Sequence, residues 1–255
     1  MALSVILGPR LGKYRPDGKV KVFPARNLVY VVTGTFILLF GWMGFNPGST
    51  LGASDHRISV IAVNTNLAAV AGSAAAMFLW YLLFGKPNIT MACNGMLAGL
   101  VAITAPCAFV SPNSAVVIGI VAGVVVCLGV LFNDRVVKID DPCGAISVHG
   151  TCGAWGVISL GLFADGTYGD GLNSVAGTVR GLFYGDPSQL LAEIIGAVTN
   201  VIFVFVASMI FFKIIDLFIG NRVSVEVELE GLDVPEMGVP GYAEMQGPST
   251  SGMHR

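Results

Sequence analysis

The chain has 255 residues, 54% of them hydrophobic and only 12% charged, with a mean hydropathy of +0.76 and a formal net charge of −2. Water-soluble domains carry about 25% charged residues, so this composition excludes a soluble fold and identifies an integral membrane protein. No nucleic-acid partner, no cofactor and no enzymatic bond chemistry are expected.

Met1 to Leu7 is apolar but too short to span a bilayer, and no basic segment precedes it as in a signal peptide. Residues 1–27 read as the end of an earlier helix followed by a basic loop; a short amphipathic start lying on the membrane surface is the alternative. Apolar runs of the ~20 residues that a spanning helix needs then fall at Leu28 to Phe45, Ile58 to Phe84, Ile89 to Val110, Ser114 to Phe132, Ala145 to Ala164 and Leu190 to Ile219. They predict an all-α polytopic domain over 28–220 with six transmembrane helices. A β-barrel does not suit runs this long and uniformly apolar, because barrel strands alternate with a period of two. The 33 glycines cluster with Ala and Ser at 68–76, 95–99 and 119–123, which suits helices whose backbones approach closely where lipid supplies no hydrophobic drive.

Twelve of the Lys and Arg residues lie before the first run, after the second and fourth, or at and beyond the end of the sixth, whereas only Arg57 and Arg180 fall in the alternate loops. The positive-inside rule then predicts a cytoplasmic N-terminal loop and C-terminal tail in a cell (inner) membrane, with 47–57 and 165–189 outside.

The first run ends in Gly41-Trp42-Met43-Gly44-Phe45-Asn46-Pro47-Gly48-Ser49. Trp42 and Phe45 are three apart and Phe45 and Ser49 four apart, so all three share a face if the helix persists past Pro47. Ring faces beside a hydroxyl acceptor select a compact cation rich in N–H donors, such as ammonium, over water. The bland alternative is an interfacial-belt tryptophan and a turn serine. Thr104 offers a hydroxyl either to a pore or back to its own helix. Asp140 and Asp141 open the fifth run, with Pro142 at a first helical position, and are expected to cap it. His149 is the only histidine inside a run apolar enough to cross a bilayer, and an ionisable group at that depth is a functional candidate. A neutral imidazole in a dry pore accepts from one neighbour and donates to another, and so passes a proton; the alternative is a packing histidine bonded across a helix interface. The five cysteines have neither metal-ligand nor oxidised-pair spacing and read as small packing residues. Residues 221–255 turn acidic and Gly/Pro-containing, as a tail with a disordered end.

In this order and spacing, the Gly41 to Ser49 stretch, Asn64-Thr65-Asn66, Ala98-Gly99-Leu100-Val101 with Thr104, Asp140-Asp141-Pro142-Cys143, Val148-His149-Gly150 with Gly153, and Glu230-Gly231-Leu232-Asp233 resemble the ammonium transporter family (Amt/Mep/Rh), in its bacterial Amt-like branch. The resemblance covers nearly the whole chain. It implies an eleven-helix fold built as an inverted repeat of five plus five and a last long helix, of which this chain supplies helices six to eleven, and a homotrimer with one pore per subunit. On the matching positions it implies an outer ammonium site at Trp42 and Ser49, a gating ring at Phe45, one of a pair of pore histidines at His149, and a structural acidic pair at Asp140 and Asp141. The histidine's partner and the second gating ring belong to the absent helices. In the tail, Gly231, Leu232 and Asp233 match a regulatory region that packs under a neighbouring subunit and through which bacterial members bind a trimeric signalling protein of the PII class. The chain departs from the bacterial pattern at Met237, where that pattern has a histidine. Ammonium transport as ammonia plus a proton is the function implied; an ammonium sensor signalling through the tail and an inert transporter fragment are the other readings.

Overall fold

The computed structural model describes residues 1–172 and 176–242. Its helices are α1 (Ala2–Leu7), α2 (Leu28–Gly48), α3 (Arg57–Phe84), α4 (Ile89–Thr104), α5 (Pro112–Phe132), α6 (Cys152–Phe163), α7 (Pro187–Phe218), α8 (Val225–Glu230) and α9 (Asp233–Met237). No regular strand occurs among the described residues. Short polar side chains start the long helices by accepting from the first free N–H groups. Asn27 accepts from Val29 and Tyr30, Asn88 from Thr90 and Met91, Ser111 from Ser114 and Asp186 from Ser188.

Five helical stretches among the described residues are long and apolar enough to cross a membrane: Leu28–Gly48, Arg57–Phe84, Pro112–Val137, Pro142–Phe163 and Pro187–Phe218. The expected span from Ile89 to Val110 differs. It is helical only through Thr104, 16 residues, or ~24 Å at 1.5 Å per residue against a ~30 Å hydrocarbon core. Pro106 explains the break, since it has no N–H to continue the hydrogen-bond ladder of α4, although Ala105 before it keeps helical backbone angles. The carbonyls freed there are not abandoned: the Asn64 carboxamide donates to Cys107 O at 2.9 Å and to Val110 O at 2.8 Å. A side chain from α3 thus closes the end of α4.

The core is the packing of α3, α4 and α5 through small residues. Ala68, Ala69, Gly72 and Ala76 of α3 are buried against Gly95, Ala98, Gly99 and Ala102 of α4 and Ala115, Gly119, Ala122 and Gly123 of α5. A Cβ at Gly99 or at Gly119 would land on the same carbonyl, that of Ala68, and one at Gly95 or Gly123 on that of Gly72. The α3 backbone is therefore wedged between its two neighbours at contact distance, which converts glycine content into dispersion energy where the hydrophobic effect is absent. By contrast, α7 buries none of its 32 residues within this chain.

The chain enters α6 irregularly. Pro142–Gly144 is a 3₁₀ turn, Cys143 lies at φ 61°, and Ile146–Thr151 is a wide π-helical turn before α6 proper. Cys143 is exposed, unlike the other four cysteines, so the packing role expected for it does not hold.

Residues 1–27 and the root of the tail form one polar assembly. Arg10 grips Asp140 with Nε at 2.7 Å and Nη2 at 2.8 Å, and its backbone N–H adds a third bond at 3.1 Å. Lys13, only 5% exposed, pairs with Asp134 at 2.9 Å. From the tail, Arg222 donates to Leu7 O and Pro9 O and pairs with Glu228, which also accepts from the Leu11 N–H.

Candidate functional site

Because successive long helices run in opposite directions, the C-terminal ends of α2 and α4 lie on the same side as the N-terminal ends of α3 and α5. There the helix carrying Trp42 and Phe45 does persist past Pro47, to Gly48. The two rings meet edge to face, with centroids 5.8 Å apart and planes at 85°. The Trp42 indole N–H donates to Thr104 Oγ1 at 2.9 Å, and that hydroxyl donates in turn to Leu100 O at 2.8 Å. Thr104 therefore spends its proton on its own helix and one lone pair on Trp42; its geometry fixes the orientation of the indole. Ser49 Oγ donates to Phe45 O at 2.7 Å. With its proton committed, this hydroxyl presents only acceptor lone pairs outward. Ser49 and Phe45 are exposed, so an aromatic face and a pure acceptor stand together at one mouth of the bundle.

The same turn is pinned to α3 by residues that the sequence marks as part of the resemblance but to which it assigns no role. Asn46, 3% exposed, donates to Thr65 Oγ1 at 3.1 Å, and Asn66 donates to Met43 Sδ. Polar side chains inside apolar runs are the signal that marks them, Asn46 and Thr65 buried and Asn66 exposed.

At the opposite end of α6, the two acids separate in role. Asp141 takes the capping bonds, accepting from Ile146 N at 2.8 Å and from Ser147 N at 3.1 Å and Oγ at 3.0 Å. Asp140 caps nothing; the guanidinium of Arg10 reaches it first, which corrects the expectation of a shared capping pair. Burial alone would raise the Asp140 carboxyl, but the Arg10 hydrogen bonds and the charges of Arg10 and Lys13 outweigh it and hold the group below the usual carboxylate range. Nearby Tyr14 is pushed up to about 12 by desolvation and by the charges of Asp134 and Asp140. In the tail root, the Leu11 N–H and then Arg222 hold Glu228 low.

His149 lies on the π-helical turn, a wide geometry that re-aims side chains and is frequent at functional sites. Its imidazole is exposed in an open, mainly apolar groove of about 690 Å³ between α1, the start of α6 and α7, lined also by Ile146, Val157, Asn200, Val204 and Phe205. The structure brings Trp42, Phe45, Ser49 and Thr104 together and leaves His149 apart from them, exposed on the turn that leads into α6. Gly231 (φ 106°), Leu232 and Asp233 sit at the junction of α8 and α9, where Asp233 accepts from Gly241 N at 3.0 Å. No group of three or more His, Cys, Asp or Glu side chains suited to a metal occurs among the described residues.

Comparison with known proteins places the chain in a family. Residues 1–242 match the model of the Ammonium Transporter Family. The chain is 48% identical over 242 residues to ammonium transporter Amt2 of Archaeoglobus fulgidus, covering 95% of this chain and 51% of that protein. It is 36% identical to an ammonium transporter of Bacillus subtilis, covering 96% of this chain and 57% of the relative. Among solved structures, a protein described as a sensor Amt protein superposes with a TM-score of 0.82 at 34% identity, over 92% of this chain and 55% of that one. Mep2 of Candida albicans gives 0.77 at 30% identity, over 88% and 49%. The chain spans about half the length of the curated relatives it matches.

Proposed function

The chain belongs to the ammonium transporter family, and on that premise we propose that it carries the second half of an ammonium pathway across a cell membrane. Ammonium is recruited at the outer mouth against the ring faces of Trp42 and Phe45, donating an N–H to the lone pairs of Ser49. The observation that carries this reading is the commitment of the Ser49 proton to Phe45 O at 2.7 Å: the hydroxyl accepts from a cation's N–H groups and has no proton left to offer. Water satisfies the acceptor equally but makes only a weak O–H···π contact with the rings, whereas a cation gains ~0.5–2 kcal/mol from an aromatic face, more as it is desolvated.

Past Phe45, ammonium separates into ammonia and a proton. His149, as a neutral imidazole, passes hydrogen along the pore, since a lasting imidazolium is costly in hydrocarbon. No bond other than N–H is broken and no cofactor takes part, so the protein acts as a transporter and not as an enzyme. The exposed groove around His149 supports a pore face that is completed by the other half of the inverted repeat, the placement of Lys and Arg supports a cytoplasmic N-terminal loop and tail, and the family resemblance supports a homotrimer and a PII-class partner for Gly231, Leu232 and Asp233.

A sensor reading is favoured by one observation. Arg222 and Glu228 bind residues 7–11 and Arg10 binds Asp140, which links the tail to the segment that starts the His149 helix. Transport is tested by reconstituting the chain in liposomes with the half of the Archaeoglobus relative that it does not match, and recording current on an ammonium jump. Ser49→Ala and Phe45→Ala are expected to raise the half-saturating concentration or admit other cations. Unchanged selectivity in both variants would remove the recruitment site, and tail movement without current would favour the sensor.

A further inference from the structure

On the face of the molecule that bears the positively charged loops, the cations divide into two groups. Those near α1 and the tail are mostly paired with carboxylates, apart from Arg15, Lys21 and Arg26: Arg10 with Asp140, Lys13 with Asp134, Lys19 with Asp17, Lys213 with Asp216 and Arg222 with Glu228, while Arg26 lies over the Tyr242 ring and Lys21 over that of Phe23. Those at the ends of α3 and α5 are not. Lys86, Arg135 and Lys138 are all exposed, and none of them enters an ion pair among the described residues.

Nor do their side chains cap the helix ends. The last carbonyls are met by backbone instead: Gly85 N bonds Tyr81 O, and Lys138 N bonds Asn133 O. The two helix ends are drawn together by one ring, since the Arg135 guanidinium lies 5.9 Å from the centroid of Phe84, which itself stacks on Trp80 at 4.5 Å. Directly inward of these cations both helices expose apolar side chains: Leu83 at 48%, Phe84 at 44%, Phe132 at 55% and Val136 at 66%.

We infer that Lys86, Arg135 and Lys138, set above the exposed Phe84 and Phe132 rings, form a binding site for an anionic phospholipid, its phosphate held by the three side chains and its acyl chains lying along α3 and α5. The chemistry is two-part. Unclaimed N–H donors on planar and point-charge cations suit a phosphodiester, and the apolar belt suits hydrocarbon, which a free anion in water would not need. A juxtamembrane cation contributes about a fivefold gain in affinity for an anionic surface, so three of them give a preference of about 100-fold.

The test is a titration of the purified full chain in detergent with phosphatidylglycerol and with phosphatidylcholine, read by native mass spectrometry. Phosphatidylglycerol is expected to bind more tightly, Lys86→Gln/Arg135→Gln/Lys138→Gln to lose about 100-fold, and Lys19→Gln/Lys21→Gln to bind as the unmodified chain does. Equal affinity in the triple variant, no preference for the anionic lipid, or displacement by water-soluble glycerol phosphate as effectively as by lipid would each overturn the site. So would association between copies that the triple variant abolishes without any lipid preference, which would give the surface to the acidic tail of a second copy.

Discussion

Thr104→Val isolates the part of the recruitment site that holds the indole. Valine keeps the shape of threonine and removes the hydroxyl, so the Trp42 N–H loses its 2.9 Å acceptor while the packing of α4 against α2 is retained. The bond from Thr104 to Leu100 O is lost as well, but that carbonyl keeps its place in the helix ladder. A hydrogen bond of this kind is worth a net ~0.5–1.5 kcal/mol. If that energy holds the ring in its binding orientation, the half-saturating ammonium concentration rises by about 2- to 12-fold, at 1.4 kcal/mol per tenfold. Thr104→Ser keeps the acceptor and is expected to stay near the unmodified value. The assay is the ammonium-jump current in co-reconstituted liposomes, titrated over ammonium concentration. A valine variant with unaltered half-saturation, or a serine variant as impaired as the valine one, would refute the positioning of Trp42 by Thr104.

Asp140→Asn weakens the grip on Arg10 and removes a carboxylate held below its ordinary pKa. A depressed carboxyl contributes stability that is present above its unfolded pKa of ~3.9 and is lost as pH falls through the folded value; thermal unfolding in detergent is therefore expected to lose stability on acidification below about pH 4, and by less in the variant. Gly99→Ala places a Cβ on the Ala68 carbonyl and is expected to cost ~1–3 kcal/mol. Gly44→Ala, which meets open space, is expected to be neutral or to stabilise by ~0.5–1 kcal/mol, and the same direction of melting shift in both would contradict the wedge. Gly231→Ala forces a side chain into φ 106° and is expected to speed limited proteolysis of the tail without reducing membrane insertion.

What the sequence discloses here is what lies along one helix. Runs of apolar residues and the shared face of Trp42, Phe45 and Ser49 are both local patterns. Pro106 was a visible signal for the break in α4, but the apolar run through Val110 masked it. Contacts between distant positions are not written in any period: Trp42 meets Thr104 62 positions away, Asn64 meets Val110 46 away, and Arg10 meets Asp140 130 away. That last contact explains the misassigned capping pair, because a carboxylate at a helix start serves free N–H groups only until a guanidinium offers a charged, bidentate alternative. The position of His149 on a π-helical turn was equally hidden, since one extra residue per turn leaves no mark on composition.

The pathway itself rests on His149, and its test is the ammonium-jump current of co-reconstituted liposomes carrying either the unmodified chain or His149→Ala. Current in the first and none in the second is the predicted result, with both proteins inserted to the same extent. Undiminished current from His149→Ala would contradict a pore that passes hydrogen through this imidazole.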